Sequence, residues 1–179
     1  MNGHDFSLQP FFPGGPLPSL KITGHLARAG GNLAIRYELR GALAEVAIST
    51  IAEAPARKPG LWEETCFEFF LAMKDAPGYW EFNLSPGGGW NVYGFQAYRQ
   101  GMREETAFTS LPFRVRRRPD SLLVALELDM GSIVRTDQIF EVAIAAVIKL
   151  KDGGATYWAL THPGSIPDFH RRDGFIIEL

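Results

Sequence analysis

The chain has one cysteine, Cys66, in 179 residues. No disulfide can close within it, and such usage fits a reducing compartment or indifference to redox. It has no excess of positive charge: 18 Lys and Arg stand against 20 Asp and Glu, for a formal net charge of −2. That balance supplies no field for gathering nucleic acid or anionic membrane, so neither is an expected partner. It has no long apolar run. The richest, IFEVAIAAVI at 139–148, carries Glu141 and falls short of the about 18 residues that cross a bilayer as a helix. The opening MNGHDFSLQPFFPGGPLP lacks the cationic and apolar regions of a secretory signal. The expectation is a cytoplasmic protein.

Motifs are scarce as well. PGGGW at 86–90 lies between two strand-like stretches, with no helix after it to receive an anion, which excludes phosphate-loop and dinucleotide fingerprints. It reads as a hairpin connection, or as a platform on which a ligand approaches the backbone. No zinc or nucleophile spacing occurs, and no metal is expected. No stretch keeps a 3.6-residue apolar period, and the crossover helices of a parallel α/β fold have no room. The one basic cluster, RVRRR at 114–118, alternates and precedes Pro119. It reads as a solvated edge strand whose charge discourages sheet-to-sheet pairing.

What is present is alternation. Residues 1–18 are rich in Pro and Gly and read as an irregular leader. A hairpin follows, LKITGHLARAGGNLAIRYELRG, turning at Gly30-Gly31, and AEVAIST continues the pattern. A loop over 51–64 leads to TCFEFFLAM, YWEFNLS, WNVYGFQAYR, PFRVRRR, SLLVALEL, IFEVAIAAVIKL, ATYWAL and GFIIEL. About ten strands joined mainly by short turns predict one all-β domain over 19–179, an antiparallel β-sandwich or barrel.

The stretch 79–99 holds five of the nine Trp and Tyr residues. Because strand side chains alternate, Thr65, Phe67, Phe69 and Leu71 share one face, with Trp80, Phe82 and Leu84 sharing the equivalent one. The opposite faces mix rings with polar groups: Cys66, Glu68 and Phe70, then Tyr79, Glu81, Asn83 and Ser85. In the third strand Asn91, Tyr93, Phe95 and Arg99 lie on one side and Trp90, Gln96 and Tyr98 on the other. Which side meets a ligand depends on register. Planar rings beside carboxylate, amide and guanidinium suit sugars, whose C–H faces stack and whose hydroxyl pairs accept bidentate partners. The competing reading is a sandwich core with a solvated polar face. A second cluster, LTHPGSIPDFHRRDG, offers His162, Asp168 and His170; a loop pinned by His-to-backbone hydrogen bonds is preferred there over metal ligation or acid–base chemistry. Cys66 reads as a buried, inert thiol.

The combination of GLWEETCFEFFL, YWEFNLSPGGGWNVYGFQAYRQGM and ALTHPGSIPDFH resembles the bacterial DOMON-like proteins related to type 9 carbohydrate-binding modules. The resemblance runs from about residue 20 to the end and is most specific at 61–102. It implies an immunoglobulin-like or jelly-roll-like sandwich whose relatives bind sugar or haem. Type 9 modules grip a terminal sugar between two Trp side chains; Trp62 and Trp90 are matched to that role. Haem-binding relatives use a Met/His pair, for which Met102 or Met73 with His162 or His170 are available.

The expected function is therefore non-catalytic binding of a carbohydrate or sugar-containing metabolite. Trp62, Trp90 and Tyr98 are expected to stack, with Glu68, Glu81, Asn83 and Arg99 as polar partners. No cofactor is expected, haem being the alternative. Two further readings are a glycoside-acting enzyme using Glu68 and Glu81 as a carboxylate pair, and an interaction module whose aromatic patch is covered by another copy in a homo-oligomer.

Overall fold

The computed structural model describes residues 2–12 and 17–179. The described residues form thirteen strands: β1 (Asn2–Pro10), β2 (Leu20–Ala29), β3 (Asn32–Gly41), β4 (Ala56–Arg57), β5 (Cys66–Met73), β6 (Tyr79–Leu84), β7 (Gly89–Phe95), β8 (Arg103–Glu104), β9 (Arg114–Arg117), β10 (Ser121–Asp129), β11 (Phe140–Lys149), β12 (Ala155–Ala159) and β13 (Ile177–Glu178). Among the described residues there is no α-helix, only single 3-10 turns at Leu43–Glu45, Leu61–Glu63 and Arg172–Gly174. The fold is all-β, as the alternation predicts.

The expected antiparallel sandwich is corrected in its connectivity. The strands form one continuous sheet in the order β4-β7-β6-β5-β11-β12-β1-β2-β3-β10-β9, with β13 and β8 hung on β11 and β7. One pair, β4 with β7, is parallel. The sheet curls so that its two halves face each other across a shared apolar core. Phe6, Ile22, Ile35 and Leu39 come from one half, and Phe67, Phe69, Phe82, Val92 and Ile144 from the other. Tyr37 reaches across the core: its ring lies 5.1 Å from Phe67 and its hydroxyl donates to the Glu68 carbonyl at 2.8 Å. Alternation delivers the inward residues and so dictates which face is buried.

The irregular leader is also corrected. Residues 2–8 pair with β2, while Gln9 and Pro10 pair with Ala159 and Trp158 of β12. β1 therefore joins the two halves, and the sheet begins at residue 2. Phe6 and Leu8 alternate inward, enough to anchor a strand, and Pro10 sits at its end, where a missing N–H is tolerated. Residues 13–16 of the expected leader lie outside the described residues.

Other boundaries shift. AEVAIST is no strand: Leu43–Glu45 turns and Val46 makes one isolated bridge to Leu150. WNVYGFQAYR ends as a strand at Phe95, because Gln96 turns back onto Gln100. The basic cluster lies in β9 apart from Arg118, which follows it; the strand is at one end of the sheet order, with the arginines exposed. Gly87 and Gly88 lie in the β6–β7 connection, and their carbonyls accept hydrogen bonds from the Ala52 and Ala56 backbone N–H groups; the preceding loop covers them.

Candidate functional site

The convex side of the half-sheet β7-β6-β5-β11-β12 should be solvated in a simple sandwich. Here it carries a second buried cluster, with Phe70, Ala72, Tyr79, Tyr93, Phe95, Ala143, Ala145, Ala159 and Phe175. The returning chain after β12 covers one end and leaves a cleft of about 440 Å³ beside Glu68, Glu81, Phe95, Arg99, His170 and Trp62. Met102, Val147, Tyr157 and Phe169 complete its walls. The small residues of β11 make room for the incoming loop: Ala143 lies opposite Phe70 and Ala145 opposite Glu68.

Register places the acids. Glu68 pairs with Asn83 and Phe70 with Glu81, so the two glutamates are diagonal neighbours on one face, within reach of each other as long side chains in such pairs generally are. Asn83 donates to Glu81 Oε1 at 2.8 Å. Glu68 is 3% exposed, and its Oε1 has no hydrogen-bond partner. Burial, reinforced by Glu81, pushes the Glu68 carboxyl well above the usual carboxylate range. Burial also raises Glu81 to about 7, against the opposing pull of Asn83 and Arg99. Removing a carboxylate from water without a cation beside it favours its neutral form.

His170 closes this group. Burial, aided by Arg99, lowers its imidazole to about 4, so the 3.8 Å approach of Nε2 to Glu81 Oε2 is a contact of two largely neutral groups between that value and the Glu81 value of about 7. The Tyr79 hydroxyl accepts from the Arg99 backbone N–H at 3.2 Å and lies 2.8 Å from His170 Nδ1. Edge-on contacts from Phe70 and Phe95, at 5.2 and 5.1 Å, hold the imidazole.

Arg99 stands at φ 52°, a left-handed conformation costly for a residue with a Cβ. The turn brings its guanidinium to Asp168 at 2.7 Å, and the Tyr98 hydroxyl donates to the same carboxylate. Burial works to raise Asp168, but the Tyr98 and Arg99 hydrogen bonds outweigh it and hold the group below its usual range. Asp168→Ala is expected to cost about 1 kcal/mol, as part-exposed charged pairs do. It should also speed tryptic cleavage after Arg99, read by limited proteolysis.

Of the expected site residues, the cleft gathers Trp62, Glu68, Glu81 and Arg99. Trp62, 40% exposed, stands on the Leu61–Glu63 turn with its ring 5.7 Å from Tyr93. Trp90 must be reassigned: it is 2% exposed in the main core, opposite Leu84, with the Arg57 guanidinium 4.4 Å from its ring. It faces inward with Val92 and cannot stack on a ligand. Asn83, fully buried, positions Glu81 and does not line the cleft. Tyr98 is exposed outside it and braces Asp168. The His162–His170 loop divides. His162 Nε2 lies 2.8 Å from the Gln9 carbonyl with its ring against Phe11, whereas His170 lines the cleft. Of the residues named for a Met/His pair, Met102 and His170 reach the cleft. Met73 Sδ instead accepts from Gln138. Cys66 is buried, and burial together with Glu68 and Glu81 raises its thiol well above the usual range, as an inert cysteine requires. Phe95, Tyr157 and Phe169 entered no expected stacking set. Alternation alone marks Phe95, which shares its face with Tyr93; Tyr157 and Phe169 are joined to it only by the fold.

No protein-family model matches the chain, and no curated protein matches it in sequence. Solved structures do resemble it. One is a candidate carbohydrate-binding protein from Bacteroides uniformis, 13% identical with a TM-score of 0.70, covering 96% of this chain and 83% of that one. Another is a family 9 carbohydrate-binding module from Caldicellulosiruptor kristjanssonii in complex with cellotriose, 8% identical with a TM-score of 0.50, covering 84% of this chain and 70% of that one. The curled all-β sheet described above is thus the fold of the Bacteroides protein and, in coarser outline, of the module.

Proposed function

We propose that the chain is a non-catalytic protein that binds a carbohydrate or a sugar-containing metabolite in the cleft beside Trp62. The observation that carries this reading is the composition of one cavity. Trp62, Phe95, Tyr157 and Phe169 bring rings to the same space as Glu68, Glu81, Arg99 and His170. Rings offer C–H stacking surfaces, and the polar groups offer donors and acceptors for hydroxyls. The likeness to carbohydrate-binding folds and the sequence resemblance to DOMON-like proteins both support it.

Calorimetry and ligand-observed NMR against mono- and disaccharides test the proposal. Trp62→Ala is expected to weaken binding about two- to tenfold, since one stacked ring contributes about 0.5–1.5 kcal/mol, with stability changed by less than about 1 kcal/mol. Failure of every sugar to bind would overturn the reading. Binding of hemin with an absorbance change lost in His170→Ala would replace it with the haem alternative.

A carboxylate pair acting on a glycoside is the second reading, favoured by Glu68 and Glu81 sharing the cleft. Against it, both project from one sheet face, whereas glycosidase carboxyls flank the scissile bond from two sides. Binding is the better fit.

A further inference from the structure

We propose that the deep end of this cleft is a subsite for an ammonium group, so that the preferred ligand is an amino sugar with a free amine. The inference rests on the carbohydrate reading above and specifies the ligand class of the same site. Its basis is an imbalance of partners. Glu68 is nine-tenths buried and more, lines the cleft, and keeps Oε1 without any hydrogen bond. Glu81 spends Oε1 on Asn83, while its Oε2 meets only the 3.8 Å approach of His170. Among the described residues, Arg99 is the cation lining the cleft, and Asp168 already engages it at 2.7 Å. The titratable groups around the two acids are otherwise the Cys66 thiol, the Tyr37, Tyr79 and Tyr93 phenols and His170, none of which supplies a positive charge at neutral pH.

A sugar hydroxyl would give Glu68 one donor and no positive charge to favour its ionised form. An ammonium brings three donors and a full positive charge to one small volume, and Trp62 and Phe95 provide ring faces and edges near a bound cation. Burial, reinforced at Glu68 by the neighbouring Glu81, favours a proton on the acids in the free protein. Binding then exchanges cations: the acid O–H breaks, its proton leaves to the buffer, and the carboxylate accepts N–H bonds from the ligand.

The test is calorimetry on the full chain at pH 6.5, in two buffers of different ionisation enthalpy, with glucose, glucosamine, N-acetylglucosamine and cyclohexylamine. Glucosamine is expected to bind at least tenfold more tightly than glucose or N-acetylglucosamine, with release of up to one proton. Glu68→Gln, which keeps the shape and removes the charge, should level glucosamine with glucose while circular dichroism shows an unchanged fold; Glu81→Gln serves as the second variant. Glucose binding as tightly as glucosamine overturns the ammonium subsite and leaves the carbohydrate reading standing. Cyclohexylamine binding with no sugar bound upholds the subsite and sinks the carbohydrate reading. A glucosamine preference that survives both substitutions, or no binding by any of the four, overturns the proposal.

Discussion

Trp90→Ala is expected to destabilise the protein by about 3–5 kcal/mol, the range for deleting a buried large aromatic from a core. That is a large part of the roughly 5–15 kcal/mol by which domains are stable. Two losses combine. The ring leaves a cavity among inward residues of β6 and β7, where Leu84 lies opposite and Val92 shares its face. The Arg57 guanidinium, 4.4 Å above the ring, loses the surface that holds it flat. That guanidinium also donates to Asn91 Oδ1 and to the Glu105 and Phe108 carbonyls, at 2.5, 3.0 and 2.6 Å, so the edge of the half-sheet loosens with it. Urea unfolding of wild type and variant measures the effect. A loss below about 1 kcal/mol, typical of a surface substitution, would show that Trp90 is not the core residue described here. Trp62→Ala is the matched control, since its half-exposed ring should matter to binding far more than to stability.

Stability is expected to fall as pH rises through 7. The folded Glu81 carboxyl titrates at about 7 instead of 4.5, so between those values the native state binds more protons than the unfolded one, and stability declines with pH. Fully developed, a displacement of that size corresponds to about 3 kcal/mol, to order of magnitude. Glu68 is shifted in the same direction and extends the decline to higher pH. His170 works oppositely. Its folded value of about 4 lies below 6.5, so its contribution is present above 6.5 and lost as pH falls toward 4. Between about pH 4.5 and 6.5 the Glu81 and His170 slopes largely cancel and Glu68 alone sets a shallow decline; above that His170 no longer opposes the acids and the decline steepens. Denaturant melts from pH 5 to 9 measure the profile. In Glu68→Gln the alkaline decline should shrink, and stability at pH 8 should rise, because a neutral amide replaces a buried unpartnered carboxylate. A profile flat from pH 6.5 to 9 would contradict the environment assigned to both acids.

The alternation in 65–71 and 79–85 sorted Phe67, Phe69, Phe82 and Leu84 into the core and set Glu68, Glu81 and Asn83 on the other face. That much was legible because a strand has a period of two and its apolar set must be buried. The Gly30-Gly31 hairpin and the edge position of the basic strand followed from local chemistry as well. By contrast, β1 was obscured by the proline-rich residues after it, since its membership rests on pairing with β2 and β12, far along the chain.

The site divided in the same way. Which residue types would meet a ligand could be read locally, but which face of β7 they occupied could not, because alternation separates two sides without saying which one packs. Only the curl of the sheet, closed through β1, turned Trp90 inward and left Phe95 toward the cleft, while the turn after Phe95 delivered Arg99. Only the return of the chain after β12 carried Phe169 and His170 over Glu81 and buried two carboxyls that an open sheet face would have left in water. The sequence by itself determined most of the strands and the polar–aromatic faces of β5 and β6, since those depend on near neighbours. Long-range packing decided the cleft, because burial and charge pairing are properties of residues brought together from distant parts of the chain.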